Sequence, residues 1–438
     1  MIRGEKVVEK WSEPAGTAPA ESWQAVGRDG AGEVPGGLMV RKYGGSSLAT
    51  PEQVREVARS LAALTARGAR VVVVVSARGD TTDELVALAG EFADQPGARE
   101  LDQLMATGEQ ASAALLALAL GQCGVAAGSL TGDQAGIVVG GRPGAGVIEH
   151  VDARRVRERL ERWQVVVVAG FQGRDRDGEL LTLGRGGSDT TAVALAAALG
   201  SADCEICTDV PGVHTADPRV VPGSARLDAV PYDAMAELAG RGAKVLHPRS
   251  VALAQRHLVR VRVVHSAWPV PGTTVAAEPL EAGHRVVGIA HERDVRLVAL
   301  GLAGAGADRC APALARLVGH GLHPDVLTWE DGREVRFTVR GGDDRLDDLV
   351  EEVARELGGP WSVRAGLGAV SVVGVGLVDH PGYLAGVLRA VGELGVPVPA
   401  LSTSPSRLTV VLPGDLVDRA VRRLHDVFGL GEPVGAAR

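Results

Sequence analysis

The sequence predicts an α/β protein: a three-layer αβα domain built on a largely parallel sheet, followed by two ferredoxin-like βαββα(β) modules. Three observations support this prediction. Apolar runs of buried-strand length, such as VVVVV at 71–75, alternate with helical segments along roughly the first 270 residues. Several of these runs end in glycine-rich turns. Beyond Pro271 the order strand, helix, strand, strand, helix occurs twice in tandem.

The elements of the first domain follow from apolar runs, helix propensity and turn residues. Pro51, for example, suits the first turn of a helix. In order, we predict a strand at 37–43, a helix at 51–67, a strand at 70–76, helices at 82–93, 99–120 and 152–163, a strand at 164–169, a helix from about Ser188, and a strand at 203–208. Ligands of such sheets gather at the carboxyl ends of the strands, so we expect the functional site there.

The two C-terminal modules are predicted from their repeated order of elements. The first has a strand at 295–302, a helix at 309–320, strands at 324–328 and 334–339, and a helix at 344–357. The second has a strand at 370–376, a helix at 383–394, strands at 398–402 and 407–412, and a helix at 416–428. We therefore expect domains at 38–275, 285–357 and 358–438. Residues 1–37 are predicted to be a disordered extension, and Met39 is an alternative start.

Composition excludes several functional classes. The chain has 438 residues, a net charge of −8 and 45% hydrophobic residues. We expect no nucleic-acid partner, because no basic stripe offsets this negative charge. We expect no membrane span, because the longest apolar runs are far shorter than the roughly 20 residues that a bilayer requires.

Cysteine usage favours a reducing cytoplasm. The four cysteines are Cys123, Cys204, Cys207 and Cys310. Cys204 and Cys207 have the spacing of a zinc or redox pair, but they lie in a predicted buried strand and no second ligand pair accompanies them. No metal-ligating residues are therefore predicted.

The segment LGRGGSDTTA at 183–192 has the composition of an anion-binding helix start. Gly184, Gly186 and Gly187 allow a ligand to approach the backbone closely, and Ser188 is an N-cap residue type before an apolar helical run. The N-terminus of a helix favours negative charge, so the segment predicts a cradle for phosphate or carboxylate. The alternative is a glycine turn that merely connects a strand to a helix.

Lysine is rare in this chain, which has 46 lysine and arginine residues in total but lysine only at 6, 10, 42 and 244. Lys42 and Lys244 lie beside glycines and at the ends of predicted elements. A compact ammonium group suits a transferring phosphoryl group. We therefore predict that both lysines serve a phosphoryl-transfer site.

Six sequence blocks together resemble the aspartokinases, which have the amino acid kinase fold and C-terminal tandem ACT domains. The blocks are KYGGSS, VVVSARGDTTDEL, TGEQASAALLALAL, GFQGRDRDGELLTLGRGGSDTTAVALAAAL, CTDVPGVHTADPRVV and YDAMAELAGRGAKVLHPRSV. The resemblance extends over residues 38–428 in the same order and spacing. It implies an amino acid kinase catalytic domain followed by two ACT modules.

The resemblance also implies a reaction. ATP, bound with Mg²⁺, would donate its γ-phosphoryl group to the side-chain carboxylate of L-aspartate, giving 4-phospho-L-aspartate and ADP. This is the first step in making the aspartate-family amino acids lysine, threonine and methionine. No general base is needed, because the carboxylate of aspartate is already ionised near pH 7. The carboxylates of the enzyme are therefore interpreted as binding groups.

Residue roles are carried over from the resemblance position by position. The catalytic set is Lys42, Asp189 and Lys244. The aspartate-binding set is Ser76, Thr82, Glu109, Phe171, Arg185 and Ser188; Glu109 would face the substrate ammonium and Arg185 a substrate carboxylate. The nucleotide-binding set is Lys42, Gly44, Gly45, Ser46, Thr208, Asp209, His214, Arg219 and Lys244. Asp217 and Arg219 have an alternative interpretation, as a local turn with an ion pair.

The chain departs from the family pattern at several positions. His214 stands where the family has tyrosine, and Asp80 adds negative charge in the loop after the second strand. His323 and Pro397 replace the asparagines that bind the amino acid effector, and proline has no backbone N–H. We therefore predict weak or altered feedback control.

The resemblance further implies a homo-oligomer formed through the ACT domains and an amino acid effector. Two alternatives to an aspartate kinase remain: another amino acid kinase, and a catalytically inactive protein that binds an effector through its ACT pair.

Overall fold

The structure is a computed structural model, and it describes residues 37–243, 245–268, 270–277, 283, 285–320, 322–330, 332–341, 345–395 and 397–431. The predicted disordered extension therefore lies outside the described residues except for its last residue. Lys244 also lies outside them.

The first domain is built on an eight-stranded sheet with the order β10-β12-β11-β9-β1-β2-β6-β3. Apart from the antiparallel pair β11 and β12, neighbouring strands are parallel. This confirms the predicted largely parallel sheet. Its strands are β1 (Leu38–Tyr43), β2 (Arg70–Val75), β3 (Ala127–Leu130), β6 (Val165–Ala169), β9 (Asp203–Thr208), β10 (Ala229–Pro231), β11 (Arg260–His265) and β12 (Thr273–Ala276).

Helices cover both faces of this sheet, as the three-layer prediction requires. Alternate side chains of β2 point to opposite faces: Val71, Val73 and Val75 pack with α1 and α3, whereas Val72 and Val74 join the core that contains residues of α4 to α7. The helices are α1 (Pro51–Thr65), α2 (Thr81–Phe92), α3 (Ala98–Gln122), α4 (Arg154–Arg162), α5 (Gly187–Leu199), α6 (Tyr232–Gly240) and α7 (Pro248–His257).

A second, four-stranded sheet was not predicted. Its order is β5-β4-β7-β8, with strands β4 (Ile137–Gly140), β5 (Val147–Val151), β7 (Gln172–Arg174) and β8 (Leu180–Thr182). Strands of three to five residues are too short to show a clear alternation of apolar and polar residues. The sheet positions the glycine-rich segment that follows β8.

The C-terminal part forms one six-stranded antiparallel sheet with the order β14-β15-β13-β16-β18-β17. Both predicted βαββα units are present, which confirms the fold class. The elements are β13 (Arg285–Gly301), α8 (Ala307–Gly319), β14 (Asp325–Glu330), β15 (Glu334–Arg340), α9 (Leu346–Leu357), β16 (Trp361–Val375), α10 (Pro381–Gly392), β17 (Ala400–Ser404), β18 (Arg407–Pro413) and α11 (Val417–Val427).

The strands β13 and β16 are longer than predicted and run through both repeats. Residues 295–301 of β13 pair with β15, whereas residues 367–373 of β16 pair with β18, and the two long strands pair with each other along their length. Where the halves meet, Asp294 and Gly366 have left-handed backbone angles, with φ of 56° and 72°. These residues let each long strand bend between its two halves.

One helix among the described residues, α3, is long and apolar enough to cross a membrane by length and composition alone. Core helices of water-soluble proteins pass the same test. This helix packs against β2, β3 and β6, and two of its carboxylates, Asp102 and Glu109, are buried in the protein.

Candidate active site

The candidate site lies where β1, β2, β6 and β9 end at one edge of the parallel sheet. Lys42 is opposite Val74 of β2 and Ile206 of β9, so its side chain starts in the middle of the sheet. Its Nζ lies 2.8 Å from Oδ1 of Asp189, in the first turn of α5. The two side chains are only 13% and 11% exposed, so this ion pair is shielded from most solvent screening.

The glycine-rich segment starts α5 without a side-chain cap. The helix begins at Gly187, and the N-cap is Gly186 in the left-handed region, with φ of 72°. The helix thus begins within one residue of the predicted start near Ser188, although glycine and not a hydroxyl residue is its N-cap. A Cβ atom at Gly186 would lie 2.1 Å from Cγ of His247, so only glycine fits there.

Backbone N–H groups gather beside Lys42. In the described part of the chain, the amides of Ser188 and Asp189 at the start of α5 have no hydrogen-bond acceptor, and neither do those of Gly44 and Gly45 in the turn after β1. A Cβ atom at Gly44 would lie 3.4 Å from Nζ of Lys42, so this turn passes directly beside the ammonium group. Free amides, a helix N-terminus and an ammonium group together form an anion site.

Glu109 presents a buried carboxylate oxygen to the neighbouring space. Its Oε1 accepts a hydrogen bond from the amide of Ala77, at 2.9 Å, in the loop after β2. Its Oε2 is buried without a partner among the described residues. Burial raises the pKa of Glu109 to about 7. A cationic ligand group would satisfy this oxygen and favour the ionised form.

The loop after β2 connects Glu109 to the glycine turn after β1. A Cβ atom at Gly45 would lie 2.5 Å from the carbonyl oxygen of Ala77, so the two loops are in direct contact. Ser76 and Thr82 flank this contact and are half-buried. The ends of β1 and β2 and the middle of α3 thus lie together at the edge of the sheet where we expect the site.

Arg185 and Phe171 lie beside the start of α5. Arg185 is exposed and has no ion-pair or hydrogen-bond partner among the described residues. Phe171 has a φ of 69°, which is rare for a bulky residue. Its amide donates to Oγ1 of Thr191 at 3.3 Å, and its carbonyl oxygen accepts from the amide of Leu183 at 2.8 Å. Such strained residues cluster at functional sites. The free guanidinium group is available to a ligand carboxylate.

The predicted nucleotide residues Thr208 and Asp209 lie at the end of β9, which neighbours β1: Thr208 is its last residue and Asp209 follows it. The hydroxyl of Thr208 donates to Asp209 at 3.1 Å. Asp209 lines a cleft together with Ser46 and with two residues that the sequence analysis missed, Ser47 and His265. His265 ends β11, opposite Thr208, and stacks on Trp268 at 4.0 Å between ring centroids. The position of His265 at a strand end was the signal that could have identified it.

His214 and Arg219 lie further along the chain, on a hairpin that leaves this edge. The guanidinium of Arg219 pairs with Asp217 at 2.8 Å, and the Arg219 side chain is 86% exposed. The structure therefore has the turn with an ion pair that was the alternative interpretation of ADPR. No contact joins Arg219 to Lys42 or Asp189 among the described residues.

Two charged residues that the sequence analysis missed, one buried and one half-buried, hold the loops around the site. The carboxylate of Asp102, in α3, accepts hydrogen bonds from the amides of Gly144 and Thr182 and from the Thr182 hydroxyl, at 2.7–2.9 Å. Arg249, in α7, donates to the carbonyl oxygens of Leu183 and Gly146. An aspartate in an apolar helix was the available signal for Asp102.

The chain on both sides of Lys244 is anchored. Arg241 pairs with Asp325 of β14, and Gly242 packs on β13 so closely that a Cβ atom would lie 2.2 Å from the carbonyl oxygen of His291. On the other side, His247 caps α7 by accepting from the amide of Arg249. The C-terminal sheet thus contacts the two described residues Arg241 and Gly242, which precede Lys244 in the chain.

Comparison with known proteins agrees with this architecture. Residues 37–265 match the amino acid kinase family, and residues 370–428 match the ACT domain. The chain is 40% identical to an aspartokinase of Thermus thermophilus over 401 residues, which is 90% of this chain and 99% of that protein. It is also 40% identical to the aspartokinase of Geobacillus stearothermophilus over 407 residues, 92% of this chain and 100% of that protein.

The fold also matches solved structures. Escherichia coli aspartokinase III in complex with aspartate and ADP aligns with a TM-score of 0.78 at 26% identity, covering 90% of this chain and 100% of that one. The same enzyme in complex with lysine and aspartate aligns with a TM-score of 0.71 at 26% identity, and the alignment covers 89% of this chain and 99% of that one. The chain therefore belongs to the aspartokinase family of ATP-dependent kinases that act on aspartate.

Proposed function

We propose that this chain transfers the γ-phosphoryl group of ATP to the side-chain carboxylate of L-aspartate, giving 4-phospho-L-aspartate and ADP. The observation that carries the proposal is the ion pair between Lys42 and Asp189, placed beside free backbone amides at the start of α5. A relative with the same fold binds aspartate and ADP together.

The mechanism follows from the charge of the reactants. A phosphate chain and a carboxylate repel each other, so catalysis requires positive groups that neutralise both and hold them in line. Lys42 supplies an ammonium group close to the free amides of Gly44 and Gly45, where developing negative charge is stabilised. Asp189 holds the ammonium group of Lys42 in place. We assign Lys244 to the phosphates as the second cation.

Mg²⁺ accompanies ATP in this proposal and neutralises part of the phosphate charge. It is a hard cation that prefers oxygen ligands and binds through one or two carboxylates plus the phosphates of the substrate. Asp189, in the first turn of α5, and Asp209, after β9, are the carboxylates that would hold such an ion together with the phosphates.

The aspartate pocket is assigned to the loops after β2 and β8. Glu109 faces the substrate ammonium with its unpartnered Oε2, and Arg185 binds a substrate carboxylate. Ser76, Thr82 and Ser188 offer hydroxyl groups, and Phe171 forms the wall beside α5. On the nucleotide side we assign Gly44, Gly45 and Ser46 to the phosphates, and Thr208, Asp209, His214 and Arg219 to the nucleoside edge.

The titration of Glu109 predicts a pH dependence of aspartate binding. The pKa of Glu109 is raised to about 7, so this group takes up a proton as the pH falls through 7 and loses the charge that attracts the substrate ammonium. We expect kcat/KM for aspartate to fall by about tenfold per pH unit below this pKa, while kcat/KM for ATP changes little. Steady-state kinetics between about pH 6 and 8 measure this.

The matched control is E109Q. Without a titrating group, kcat/KM for aspartate should be low in this variant and flat over the same pH range. A pH-independent value in the unmodified enzyme would contradict the assignment of Glu109 to the ammonium group.

A hydroxamate assay tests the proposed function. With aspartate and Mg-ATP, we expect formation of aspartyl hydroxamate at a rate that depends on both substrates. Product formed with glutamate or N-acetylglutamate in place of aspartate would indicate another amino acid kinase. A protein that binds an effector but forms no hydroxamate with any of these acids would be the inactive alternative.

We further propose a kinase domain at 38–275 followed by two ACT repeats at 285–357 and 358–438, which β13 and β16 join into one sheet. We also propose that the ACT region mediates a homo-oligomer, as the resemblance to aspartokinases implies. We place the enzyme in the cytoplasm, in keeping with four free cysteines, three of them buried.

Feedback control should be weak in this chain. An amino acid effector would bind in the ACT region, but His323 and Pro397 stand at the positions of the family's effector-binding asparagines, and Pro397 has no N–H to donate. We expect lysine and threonine together to reduce activity by less than about twofold, a coupling below about 0.5 kcal/mol. Strong inhibition by both amino acids in the hydroxamate assay would contradict this, and the double variant H323N/P397N should be inhibited more than the unmodified enzyme.

A further inference from the structure

A hairpin after β9 connects the nucleotide side of the site to the second ACT module. The amide of Thr215 donates to the carbonyl oxygen of Ala225 at 2.9 Å, and that of Leu227 donates to Val213 at 2.8 Å. We call residues 213–227 the β9 hairpin. It carries His214 and Arg219, two residues of the proposed nucleotide set.

The apolar side chains of the β9 hairpin are divided between two cores. Ala216, Val220 and Val221, around its tip, are buried in the cluster formed by β16, β18, α10 and α11 of the second ACT module. Val213, at its base, belongs to a core of the parallel sheet. The hairpin is therefore anchored in the kinase domain at its base and packed into the second ACT module at its tip.

Thr215 is the polar centre of this contact. Its hydroxyl donates to the carbonyl oxygen of Leu430 at 3.0 Å and accepts from the amide of Ala225 at 3.0 Å. Nε2 of His425, in α11, lies 3.0 Å from the same oxygen. Since the single hydroxyl proton is already donated, the Nε2 of His425 must be the donor. The hydroxyl is then fully satisfied, and the tautomer of His425 is set.

Three further backbone contacts fix the β9 hairpin to the C-terminal part. The amide of Ile289, in β13, donates to the carbonyl oxygen of Thr215 at 2.7 Å. Nε of Arg422, in α11, donates to the carbonyl oxygen of Val220 at 2.9 Å. Ser224 forms an isolated antiparallel bridge with Gly431. The last helix and the residues after it thus hold both strands of the hairpin.

We propose that Thr215 and His425 are positioning residues for the nucleotide: α11 of the second ACT module holds the β9 hairpin and thereby completes the ATP side of the site. The inference rests on the proposed function, because it takes the nucleotide side from that assignment. It makes the C-terminal helix a structural part of the ATP site and leaves the aspartate pocket, built from the loops after β2 and β8, outside its influence.

The test compares the variants T215V and T215S. T215V keeps the shape of the side chain but removes the hydroxyl, which leaves three hydrogen-bonding groups without their partner. We expect KM for ATP to rise about five- to tenfold and KM for aspartate to stay within about twofold. T215S keeps the hydroxyl and should restore KM for ATP.

A pair of surface arginines provides a second test that does not endanger folding. R422A removes the bond to Val220 and should raise KM for ATP about threefold. R423A is its control, because Arg423 pairs with Glu393 within the same module and does not contact the hairpin. Equal increases in both KM values, or no change in R422A and T215V, would overturn the proposal.

Binding of Mg-ADP, measured by calorimetry on the full chain, separates this inference from the proposed function. Weaker binding in T215V than in the unmodified protein supports the role of the hairpin even if aspartate proves not to be the acceptor. Equal binding overturns the inference while the kinase assignment stands.

Discussion

Replacing Lys42 by methionine is expected to reduce kcat of the aspartate- and ATP-dependent reaction by about 10²- to 10³-fold, the effect of removing one preorganised group that stabilises transition-state charge. Methionine keeps most of the side-chain volume but removes the ammonium group between Asp189 and the glycine turn. The KM values should change much less, because the loss is greatest in the transition state. The hydroxamate assay measures this.

K42R is the informative control for this prediction. Arginine keeps the positive charge, but its planar guanidinium is larger than an ammonium group. The space beside Nζ is small, because even a Cβ atom added at Gly44 would lie only 3.4 Å from it. We expect K42R to recover little of the lost kcat. If kcat of K42M were within about tenfold of the unmodified value, Lys42 would not serve the transferring group.

Replacing Asp102 by alanine is expected to lower the free energy of unfolding by about 3–5 kcal/mol, the cost of breaking a buried charged network. The carboxylate is fully buried, and its loss leaves two amides and one hydroxyl without an acceptor. Because Thr182 immediately precedes the glycine-rich segment, KM for aspartate should rise as well. Denaturant unfolding and kinetics on the same preparation measure both effects.

The variant T182V separates the contribution of the Thr182 hydroxyl from that of the two backbone amides that bind Asp102. It removes only the hydroxyl and leaves both backbone amides bonded to Asp102, so we expect a loss of about 1 kcal/mol. A D102A variant as stable as T182V would show that water replaces the carboxylate.

Much of the fold could be predicted because the decisive signals are local. The run of valines in β2 indicates a buried strand, and the run of small apolar residues in α5 indicates a buried helix, without any information from distant residues. The approach of Lys42 to Asp189 was expected from the edge of the sheet where their elements begin and end. Lys244 stays a prediction, since it lies outside the described residues.

Other features could not be predicted because their partners are distant in the chain. The sequence of the β9 hairpin looks like a polar loop with few apolar residues, and nothing local indicates that Val220 and Val221 enter a core built mainly from residues after 285. Likewise, the hydrogen-bond partners of Asp102 are distant in the sequence: Gly144 lies 42 positions after it and Thr182 lies 80 positions after it. Sequence motifs identified Glu109, but its unpartnered oxygen is visible only in the structure.

The continuous strands β13 and β16 restrict how this protein can be recombined with its relatives. A chimera joined between the two repeats, near residue 358, would pair β13 of one parent with β16 of the other along their whole length, and any mismatch in register would leave backbone groups of both strands unpaired. In a domain exchange, the residues from Arg285 onward should therefore be transferred together as one unit. Truncation after the first repeat should yield a protein that aggregates.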